Sequence, residues 1–412
     1  MHCFWALFSL LVTLSFSGGS FASDSARVQI TQPSGSDAVV VSLAERHARL
    51  ARGVNVFLDM EAKDGVLLHA DEPRNQFTSE DVLRLKRMGI THVAISTYSR
   101  VFWNDGMFSE NSWNALPAKE LRDKIHIIIR MLNEADIAVA LKIMPSEDEM
   151  RSLYFSRADQ LPMWQAFYTY WTREFGSYSP DLLFFHTLNE PRFVLFMAKE
   201  QGIEADLDSR YPPKLVAGAT QMWVEIEDTL IKAIRSQAPA HTIILSGDAF
   251  AGPEGLMVRR PTAADANVIY NFHYYLPLIF THQSATWAPF PGSKLTYLRY
   301  PPDAANCTER MQSSPEAAAN PHLARYCSGA WDRTRHSGEF ASLAEWVKQT
   351  GSYVWLGEFG AFPDHVDPDS ITSYYRDMRM LAERYGFGWC AWEYTNWLKR
   401  LNNKEMIDAL GL

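Results

Sequence analysis

Short apolar segments alternate with longer amphipathic segments along most of the chain, and turn residues separate the two kinds. The short segments have the length and β-branched content of buried strands, whereas the long ones repeat their apolar positions with helical spacing. In residues 221–237, for example, Ile226, Leu230 and Ile234 recur on one side while charged residues occupy the other. Strands that alternate in this way with helices are typical of parallel βα units.

Eight apolar segments qualify as strands. They cover residues 53–58, 92–97, 137–143, 182–188, 242–246, 268–272, 353–357 and 388–392. Long helices are predicted over residues 117–134, 163–175, 221–237 and 370–385. Eight strands with intervening helices match a TIM (β/α)8 barrel, so we predict this α/β fold. The chain shows no internal repeat, and we expect residues 23–412 to form a single domain.

The amino-terminal residues carry the features of an export signal. Residues 4–16 form an apolar run, and Ser20-Phe21-Ala22 follows it as a small-x-small cleavage pattern. We therefore expect residues 1–22 to be a secretory signal peptide and the mature protein to be secreted or periplasmic, without stable membrane association. Little positive charge precedes the apolar run, so an uncleaved membrane anchor is the alternative.

The connection after the sixth predicted strand is far longer than the others. It covers residues 273–352, of which only 340–349 resemble a barrel helix. Cys307 and Cys327 lie in this polar segment, and an exported protein meets oxidising conditions, so we predict a disulfide between them. Loops that follow barrel strands lie at the active-site face, so we expect the disulfide-linked insertion, residues 276 to about 336, to shape a substrate cleft. A purely structural cover is the alternative.

Composition and charge narrow the class of partner. The formal net charge is -9, and no run of Lys and Arg could bind nucleic-acid phosphates, so we expect no nucleic-acid partner. No Cys/His cluster has zinc-ligand spacing, and we expect no metal and no cofactor. The 13 Trp and 17 Tyr suit the stacking of flat sugar faces, although core packing explains any one Trp equally well.

Two glutamates follow apolar strands at the face where barrels carry their active sites. The fourth strand leads into Glu190, and the seventh leads into Glu358. Retaining cleavage of a glycosidic bond needs two carboxyl groups about 5–5.5 Å apart, one to protonate the leaving oxygen and one to attack the anomeric carbon. Either glutamate alone could be a surface or salt-bridged residue, but their joint placement favours a catalytic pair.

Five short motifs extend this pattern around the barrel. They are Arg52-Gly53-Val54-Asn55, Asn189-Glu190-Pro191, His273-Tyr274-Tyr275, Glu358-Phe359-Gly360 and Trp392-Glu393-Tyr394. In order and strand position they resemble glycoside hydrolase family 5, the cellulase-like retaining β-glycanases that carry their catalytic glutamates on strands four and seven. The resemblance covers most of the barrel and implies that residues 23–412 are its catalytic domain.

The resemblance implies roles for the matching residues. Glu190 would be the acid/base and Glu358 the nucleophile, and repulsion between the two carboxylates would keep Glu190 protonated. Asn189 would bind the sugar 2-hydroxyl, and Tyr275 would donate a hydrogen bond to Glu358. These assignments describe double displacement without a cofactor.

Two further matching residues have open alternatives. By the same resemblance, His273 would bind a sugar hydroxyl or orient a carboxylate, and Trp392 would stack under the sugar being cleaved. Each could instead be a residue of the core.

The chain also departs from the family pattern. Ala94 stands where the family usually has an Arg that supports the nucleophile, and the third strand lacks the His that often follows it. Arg100 or Lys142 could replace the missing charge, although a solvated or salt-bridged role is favoured for both. His186 stands where many members have a Glu. These departures indicate an atypical subfamily.

The function implied is hydrolysis of a β-linked polysaccharide, with an endo-β-1,4-glucanase as the first hypothesis and a monomer as the expected state. The alternatives are a β-mannanase or other β-glycanase, a transglycosylase that uses the same intermediate, and a carbohydrate-binding barrel that has lost catalysis. One hydroxyl contact separates many of these substrates, and loops determine it.

Overall fold

Eight parallel strands close into a barrel in the computed structural model, in which strands follow one another around the barrel in chain order and the last pairs with the first. The structure describes residues 41–58, 76–104, 106–206, 208, 210–262, 265–287 and 292–412. The predicted TIM (β/α)8 barrel is confirmed, and each strand ends within two residues of its predicted bounds. The strands are β1 (Arg52–Leu58), β2 (His92–Tyr98), β3 (Ala138–Met144), β4 (Leu183–Leu188), β5 (Ile243–Ser246), β6 (Val268–Tyr274), β7 (Val354–Phe359) and β8 (Gly388–Ala391).

Residues 1–22, the expected signal peptide, lie outside the described residues, and so do residues 23–40. Both the signal and the extent of the domain therefore stay predictions. Residues 41–412 form one compact unit. Within the ranges given above, no helix is long and apolar enough to cross a bilayer.

Helices surround the barrel, and short turns and a two-stranded ribbon (Trp103–Asn104 with Met107–Phe108) complete the described fold. The helices are α1 (Leu43–Arg49), α2 (Ser79–Arg87), α3 (Glu110–Asn114), α4 (Leu116–Glu134), α5 (Glu147–Phe155), α6 (Arg157–Phe175), α7 (Phe193–Gln201), α8 (Pro213–Gln237), α9 (Pro253–Met257), α10 (Leu278–Thr281), α11 (Ala304–Met311), α12 (Pro315–Ala318), α13 (Pro321–Ser328), α14 (Arg333–Thr350), α15 (Pro368–Arg384) and α16 (Lys404–Leu410).

Two of the long helices begin earlier than predicted, and proline explains both differences. Helix α6 continues through Pro162, which costs one backbone hydrogen bond in its second turn. Helix α8 begins at Pro213, in the first turn, where a missing N–H leaves no helical bond unmade. A pattern that treats proline as a boundary therefore shortens both helices.

The lower part of the barrel interior is apolar. Its buried side chains come from the inward positions of successive strands, and a much larger core fills the space between the strands and the helices. Gly53 lies in this lower layer beside His92, and a Cβ at Gly53 would be 2.2 Å from the imidazole. The indole of Trp355 donates to the His92 imidazole at 3.2 Å and holds it in place. Only glycine at position 53 leaves room for this imidazole. The inner apolar set is Leu50, Ala94, Ala138, Ala140, Phe184, Ile244, Ile269, Trp355 and Cys390.

Nearer the carboxyl ends of the strands, the interior becomes polar. His186 is buried and shares a hydrogen bond with the Ser246 hydroxyl at 3.0 Å, and the Asn271 amide donates to the same hydroxyl at 3.1 Å. Burial lowers the pKa of His186 well below its ordinary value, so the ring is neutral. A Cβ at Gly357 would be 2.0 Å from the Asn271 side-chain oxygen, so glycine is needed beside Glu358.

The long connection between β6 and β7 holds helices α10 to α13 and the predicted disulfide. Cys307 in α11 is bonded to Cys327 in α13, with 5.8 Å between their Cα atoms, which confirms the predicted pairing. The insertion is also joined to the loop after β7, because the Phe362 N–H donates to the Thr281 carbonyl at 2.8 Å. It therefore belongs to the same rim as the carboxyl end of β7.

We predict that replacing both bridged cysteines by serine lowers the free energy of unfolding. The disulfide closes a segment of 20 residues, and the chain-entropy model gives such a cross-link about 3 kcal/mol. Urea unfolding followed by tryptophan fluorescence measures the loss in the Cys307→Ser, Cys327→Ser variant, with reduced wild type as the control. An unchanged unfolding midpoint in both samples would contradict the prediction.

Candidate active site

Glu190 and Glu358 meet at the carboxyl ends of their strands. One carboxylate oxygen of each lies within 4.8 Å of the other, and both lie within that distance of a ring nitrogen of His273. Glu190 follows β4 directly after Asn189, and Glu358 lies inside β7. The structure thus brings together the two glutamates that the sequence predicts at the carboxyl ends of the fourth and seventh strands.

Glu190 is held in a strained backbone conformation. Its φ is 51°, in the left-handed region, which costs a residue with a Cβ about 1 kcal/mol. Arg192 fixes this turn, since its guanidinium donates to the Glu190 carbonyl at 3.3 Å and to the Pro145 carbonyl at 3.0 Å. Strain of this kind persists where the surroundings impose it, and it is concentrated at functional sites.

The loop after β5 supports the same turn. Ala249, Phe250 and Ala251 all have left-handed φ values between 56° and 59°. The Phe250 N–H donates to the Pro191 carbonyl at 2.9 Å, and the Ala251 carbonyl accepts from the His273 N–H at 2.8 Å. This loop therefore joins the backbone beside Glu190 to the strand that carries His273.

Glu358 is buried and bonded at both oxygens. The Tyr275 hydroxyl donates to Oε2 at 2.9 Å, and the ammonium of Lys142 donates to Oε1. The side chain of Glu358 is only 4% exposed and that of Lys142 is 0% exposed. Hydrogen bonds from such donors offset the cost of burying a carboxylate.

Lys142 corrects one expectation from the sequence. The solvated role considered for it is wrong and the salt-bridged role is observed, because Lys142 is buried inside the barrel and pairs with Glu358. Lys142 thus supplies a positive charge to Glu358, whereas Ala94 belongs to the apolar layer. Arg100 has another setting, with its guanidinium 4.1 Å from the centre of the Tyr98 ring.

Asn55 orients the lysine. Its side-chain N–H groups donate to the Gly357 carbonyl at 3.0 Å and contact the sulfur of Cys390 at 3.2 Å. These bonds leave the side-chain oxygen of Asn55 to accept from the Lys142 ammonium at 3.2 Å. One amide on β1 thus links β7, β8 and the ammonium that contacts Glu358.

Burial raises the pKa of Glu190, and this effect outweighs the nearby positive charges of Arg192 and Lys142, which lower it. The expected direction is therefore correct, but its first cause is burial rather than repulsion from the second carboxylate. A raised pKa keeps a carboxylic acid protonated at higher pH than usual, as a general acid requires.

His273 lies between the two carboxylates. Its Nδ1 is 2.9 Å from Oε1 of Glu190 and 3.6 Å from Oε2 of Glu358. Burial lowers the pKa of His273 to about 3, so the ring is neutral at ordinary pH. A neutral imidazole can donate to an ionised Glu190 or, as the other tautomer, accept from a protonated one. The contact with Glu190 agrees with the expectation that His273 orients a carboxylate, and binding of a sugar hydroxyl stays a prediction.

Asn189 and Trp392 complete the predicted set. The side-chain oxygen of Asn189 is buried and has no hydrogen-bond partner in the part of the chain that the structure describes. It therefore keeps bonding capacity beside Glu190. The half-buried indole of Trp392 lies with its ring centre 5.8 Å from the Lys142 ammonium and 6.0 Å from the Phe57 ring.

The three groups Glu190, His273 and Glu358 are also close enough to surround a metal ion. The donor set is ordinary for a transition metal, but the charge balance opposes it. Lys142 already supplies a positive charge to Glu358, and Tyr275 occupies its second oxygen. A cation at this point would have to displace one of these donors or lie beside a buried ammonium.

Sequence reasoning did not assign three residues that the structure connects to the site: Asn55, Arg192 and Asp248. Asn55 lies in a quoted motif and is a polar residue inside an apolar strand, which was an available signal, and Arg192 directly follows a quoted motif. Asp248 accepts from the N–H groups of Phe193 and Val194, at 2.8 and 2.9 Å, at the start of α7. Burial raises the pKa of Asp248 to about 6. Nothing in its local sequence indicates this long-range contact.

Comparison with known proteins agrees with this geometry. The family model for cellulase, glycosyl hydrolase family 5, matches residues 64–397. Endoglucanase 3 of Fibrobacter succinogenes is 26% identical over 195 residues, which are 46% of this chain and 29% of that protein. Cellodextrinase A of Ruminococcus flavefaciens is 26% identical over 242 residues, which are 56% of this chain and 61% of that protein. The matches cover less than two thirds of these relatives.

Solved structures share the barrel. Cel5A of Thermotoga maritima, crystallised with mannotriose, superposes with a TM-score of 0.64 at 21% identity, and the match covers 90% of this chain and 100% of that chain. The cellulose synthase subunit Z of Clostridioides difficile gives a TM-score of 0.63 at 17% identity, over 87% of this chain and 99% of that chain. At such identities the likeness concerns the fold. Because the family model spans most of the chain, from before β2 to beyond β8, the chain belongs to glycosyl hydrolase family 5, the cellulase family.

Proposed function

We propose that this protein is a retaining endo-β-1,4-glucanase that cleaves polysaccharide by double displacement. The observation that carries the proposal is the carboxylate separation, with oxygens of Glu190 and Glu358 within 4.8 Å of each other. Retaining glycosidases hold their carboxyl groups about 5–5.5 Å apart, whereas inverting ones leave about 6.5–9.5 Å for a water molecule. Relatives named as endoglucanases support the glucan substrate.

In the first step, Glu190 gives its proton to the glycosidic oxygen while a carboxylate oxygen of Glu358 attacks the anomeric carbon. The bond from that carbon to the leaving oxygen breaks, and a glycosyl ester with Glu358 forms. Burial supports the acid role because it raises the pKa of Glu190. The bonds from Lys142 and Tyr275 hold the Glu358 carboxylate in one orientation for attack.

In the second step, Glu190 is a carboxylate and removes a proton from water. The resulting hydroxyl attacks the anomeric carbon, the ester bond breaks, and Glu358 leaves as a carboxylate. His273 can hydrogen-bond Glu190 in both protonation states, since a neutral imidazole has two tautomers. Asn189 would bind the 2-hydroxyl, and Trp392 would stack under the sugar at the cleavage point.

Side chains and water account for both steps, so the proposal includes no metal and no cofactor. The proposal also includes a monomeric state. Action on polysaccharide outside the cytoplasm is proposed because residues 1–22 are predicted to be a secretory signal peptide. Loss of catalysis is not favoured, because a carbohydrate-binding barrel has no need for a buried ammonium paired with Glu358.

A β-mannanase is the second candidate. The Thermotoga Cel5A structures with the same barrel were obtained with cellobiose and with mannotriose, so one protein of this fold binds both sugars. Release of reducing ends from defined β-glucans, mannans and xylans separates the two candidates. Product patterns with added acceptor sugars separate hydrolysis from transglycosylation.

We expect Glu358→Ala to abolish turnover, because no neighbouring group can form the glycosyl ester. Glu358→Gly with azide should recover part of the activity on an activated aryl glycoside and give a glycosyl azide of inverted configuration. Steady-state rates and product NMR measure both results. Retention of more than about one per cent of wild-type activity by the Ala variant would be too much for a missing nucleophile.

Glu190→Ala should discriminate between leaving groups. Polysaccharide cleavage should nearly stop, since a sugar is a poor leaving group that needs the acid. An aryl glycoside with a good leaving group should still form the glycosyl ester, which then accumulates until azide converts it to a β-glycosyl azide. Burst kinetics and product NMR follow these steps, and equal losses on both substrates without azide product would exclude the acid/base role.

Lys142→Met should lower kcat/KM about 100-fold or more, because breaking a buried ion pair leaves one charge without its partner. Lys142→Arg keeps a positive charge and should recover part of the loss. Lys119→Met, which removes an exposed lysine that pairs with Asp123, is the matched control. Circular dichroism and thermal unfolding verify that each variant is folded. Wild-type kcat/KM in folded Lys142→Met would refute the positioning role.

A further inference from the structure

Helix α7, which begins three residues after Glu190, has no cap of its own. The residue before it is Arg192, whose side chain makes no capping hydrogen bond, and its first turn contains no acidic residue. The first N–H groups of a helix need acceptors, which a Ser, Thr, Asp or Asn at the cap position usually supplies. The connection from Glu190 to α7 therefore depends on an acceptor from elsewhere in the chain.

Asp248, which lies 55 residues after Phe193, supplies the acceptors. Its Oδ2 accepts from the Phe193 N–H at 2.8 Å and its Oδ1 from the Val194 N–H at 2.9 Å. The side chain is fully buried, and burial raises its pKa to about 6, so the group is mostly a carboxylate at pH 7. A carboxylate at this place satisfies two backbone donors and faces the positive end of the helix dipole.

The backbone of Asp248 is fixed by the barrel and by α9. It follows the last residue of β5, Ser246, with one glycine between them. A Cβ at Gly255 in α9 would be 2.0 Å from the Asp248 carbonyl oxygen, and a Cβ at Gly247 would be 2.2 Å from the Gly255 carbonyl carbon. The two glycines thus let the end of β5 and α9 pack backbone against backbone. Asp248 is a rigid point to which the start of α7 attaches.

The turn that carries Glu190 is consequently held at both ends. At its beginning, the Asn189 N–H donates to the Ile143 carbonyl of β3 at 2.9 Å. At its end, the carboxylate of Asp248 holds the first N–H groups of α7. The left-handed φ of 51° at Glu190 is therefore imposed from both sides.

The residues after Asp248 also hold the hydrogen-bond partner of Glu190. The Ala251 carbonyl accepts from the His273 N–H at 2.8 Å, and Nδ1 of the same histidine is 2.9 Å from Oε1 of Glu190. One loop thus determines where the backbone of Glu190 lies and where its imidazole partner lies.

We propose that Asp248 is a positioning residue that holds Glu190 where its carboxyl group reaches the leaving oxygen. The inference rests on the proposed acid/base role of Glu190 and extends it to a buried side chain outside the catalytic pair. A general acid acts only within hydrogen-bond reach of the atom that it protonates, so a small displacement of the turn removes much of its effect. Glu358 has separate partners, Lys142 and Tyr275, and keeps its place.

The test compares two substrates at pH 7, phenyl cellobioside with a poor leaving group and dinitrophenyl cellobioside with a good one. In Asp248→Asn the amide N–H groups oppose a backbone donor, so one of the two bonds to α7 is lost. The ratio of kcat/KM on the phenyl substrate to kcat/KM on the dinitrophenyl substrate should fall about tenfold, a part of the roughly 100- to 10,000-fold that a general acid contributes. A general loss of folded enzyme lowers both rates equally. An unchanged ratio overturns the proposal.

Asp332→Asn is the matched control, because Asp332 caps α14 by accepting from the Arg335 N–H at 3.0 Å. Its ratio should equal that of the wild type. In the Glu190→Ala background, Asp248→Asn should change the ratio no further, since no acid remains to be positioned. An equal fall in Asp332→Asn, or a second fall in that background, contradicts the proposal. If circular dichroism shows Asp248→Asn to be unfolded, Asp248→Ser replaces it, because a hydroxyl keeps one acceptor without an opposing N–H.

Crystal structures separate failure of this proposal from failure of the proposed function. In Asp248→Asn, Glu190 should leave the left-handed region or lie beyond hydrogen-bond distance of His273, whereas in Asp332→Asn it should superpose on the wild type. An enzyme inactive on every β-glucan that shows this difference would retain the positioning role and refute the endoglucanase. Glu190 in its wild-type place in folded Asp248→Asn would refute the positioning role whatever the activity.

Discussion

The buried pair of Lys142 and Glu358 is the interaction on which the catalytic face depends. Two charges removed from water are stable only when each has the other and further hydrogen bonds. Here Tyr275 donates a further hydrogen bond to the carboxylate of Glu358, and the side-chain oxygen of Asn55 accepts one from the ammonium of Lys142. Since these four residues come from β3, β7, β1 and the end of β6, one electrostatic requirement fixes the relative positions of strands around the barrel mouth.

The two carboxylates acquire different properties from their surroundings. Glu358 lies within β7 and accepts hydrogen bonds from Lys142 and Tyr275. Glu190 lies in a strained turn, is 25% exposed and contacts a neutral histidine. Identical side chains thus have different surroundings, although an oxygen of one lies within 4.8 Å of an oxygen of the other. The polar layer beneath them, with its neutral His186, adds no further charge to this balance.

Much of this arrangement could be predicted from the sequence, because it depends on local patterns. Buried parallel strands are continuous apolar segments, so the sequence predicts β1 to β8. The carboxylates of Glu190 and Glu358 stand out because each closely follows such a predicted segment. The position of Lys142 was visible too, as one cation in an apolar strand. Its partner was not, since pairing across the barrel depends on strand register and on the amide of Asn55. Helix α6 shows the same limit, because packing carries it through a proline that local rules treat as a boundary.

The closure of the barrel has a consequence for how activity arises during folding. Strands β1 and β8 pair directly, with Arg52 opposite Trp389 and Val54 opposite Ala391. The amide of Asn55 takes its partners from β7 and β8. The ammonium beside Glu358 therefore gains its support only after strands from the two ends of the described chain have met. Contacts between such distant segments form slowly, so catalytic competence is a property of the closed barrel and of no smaller part of it.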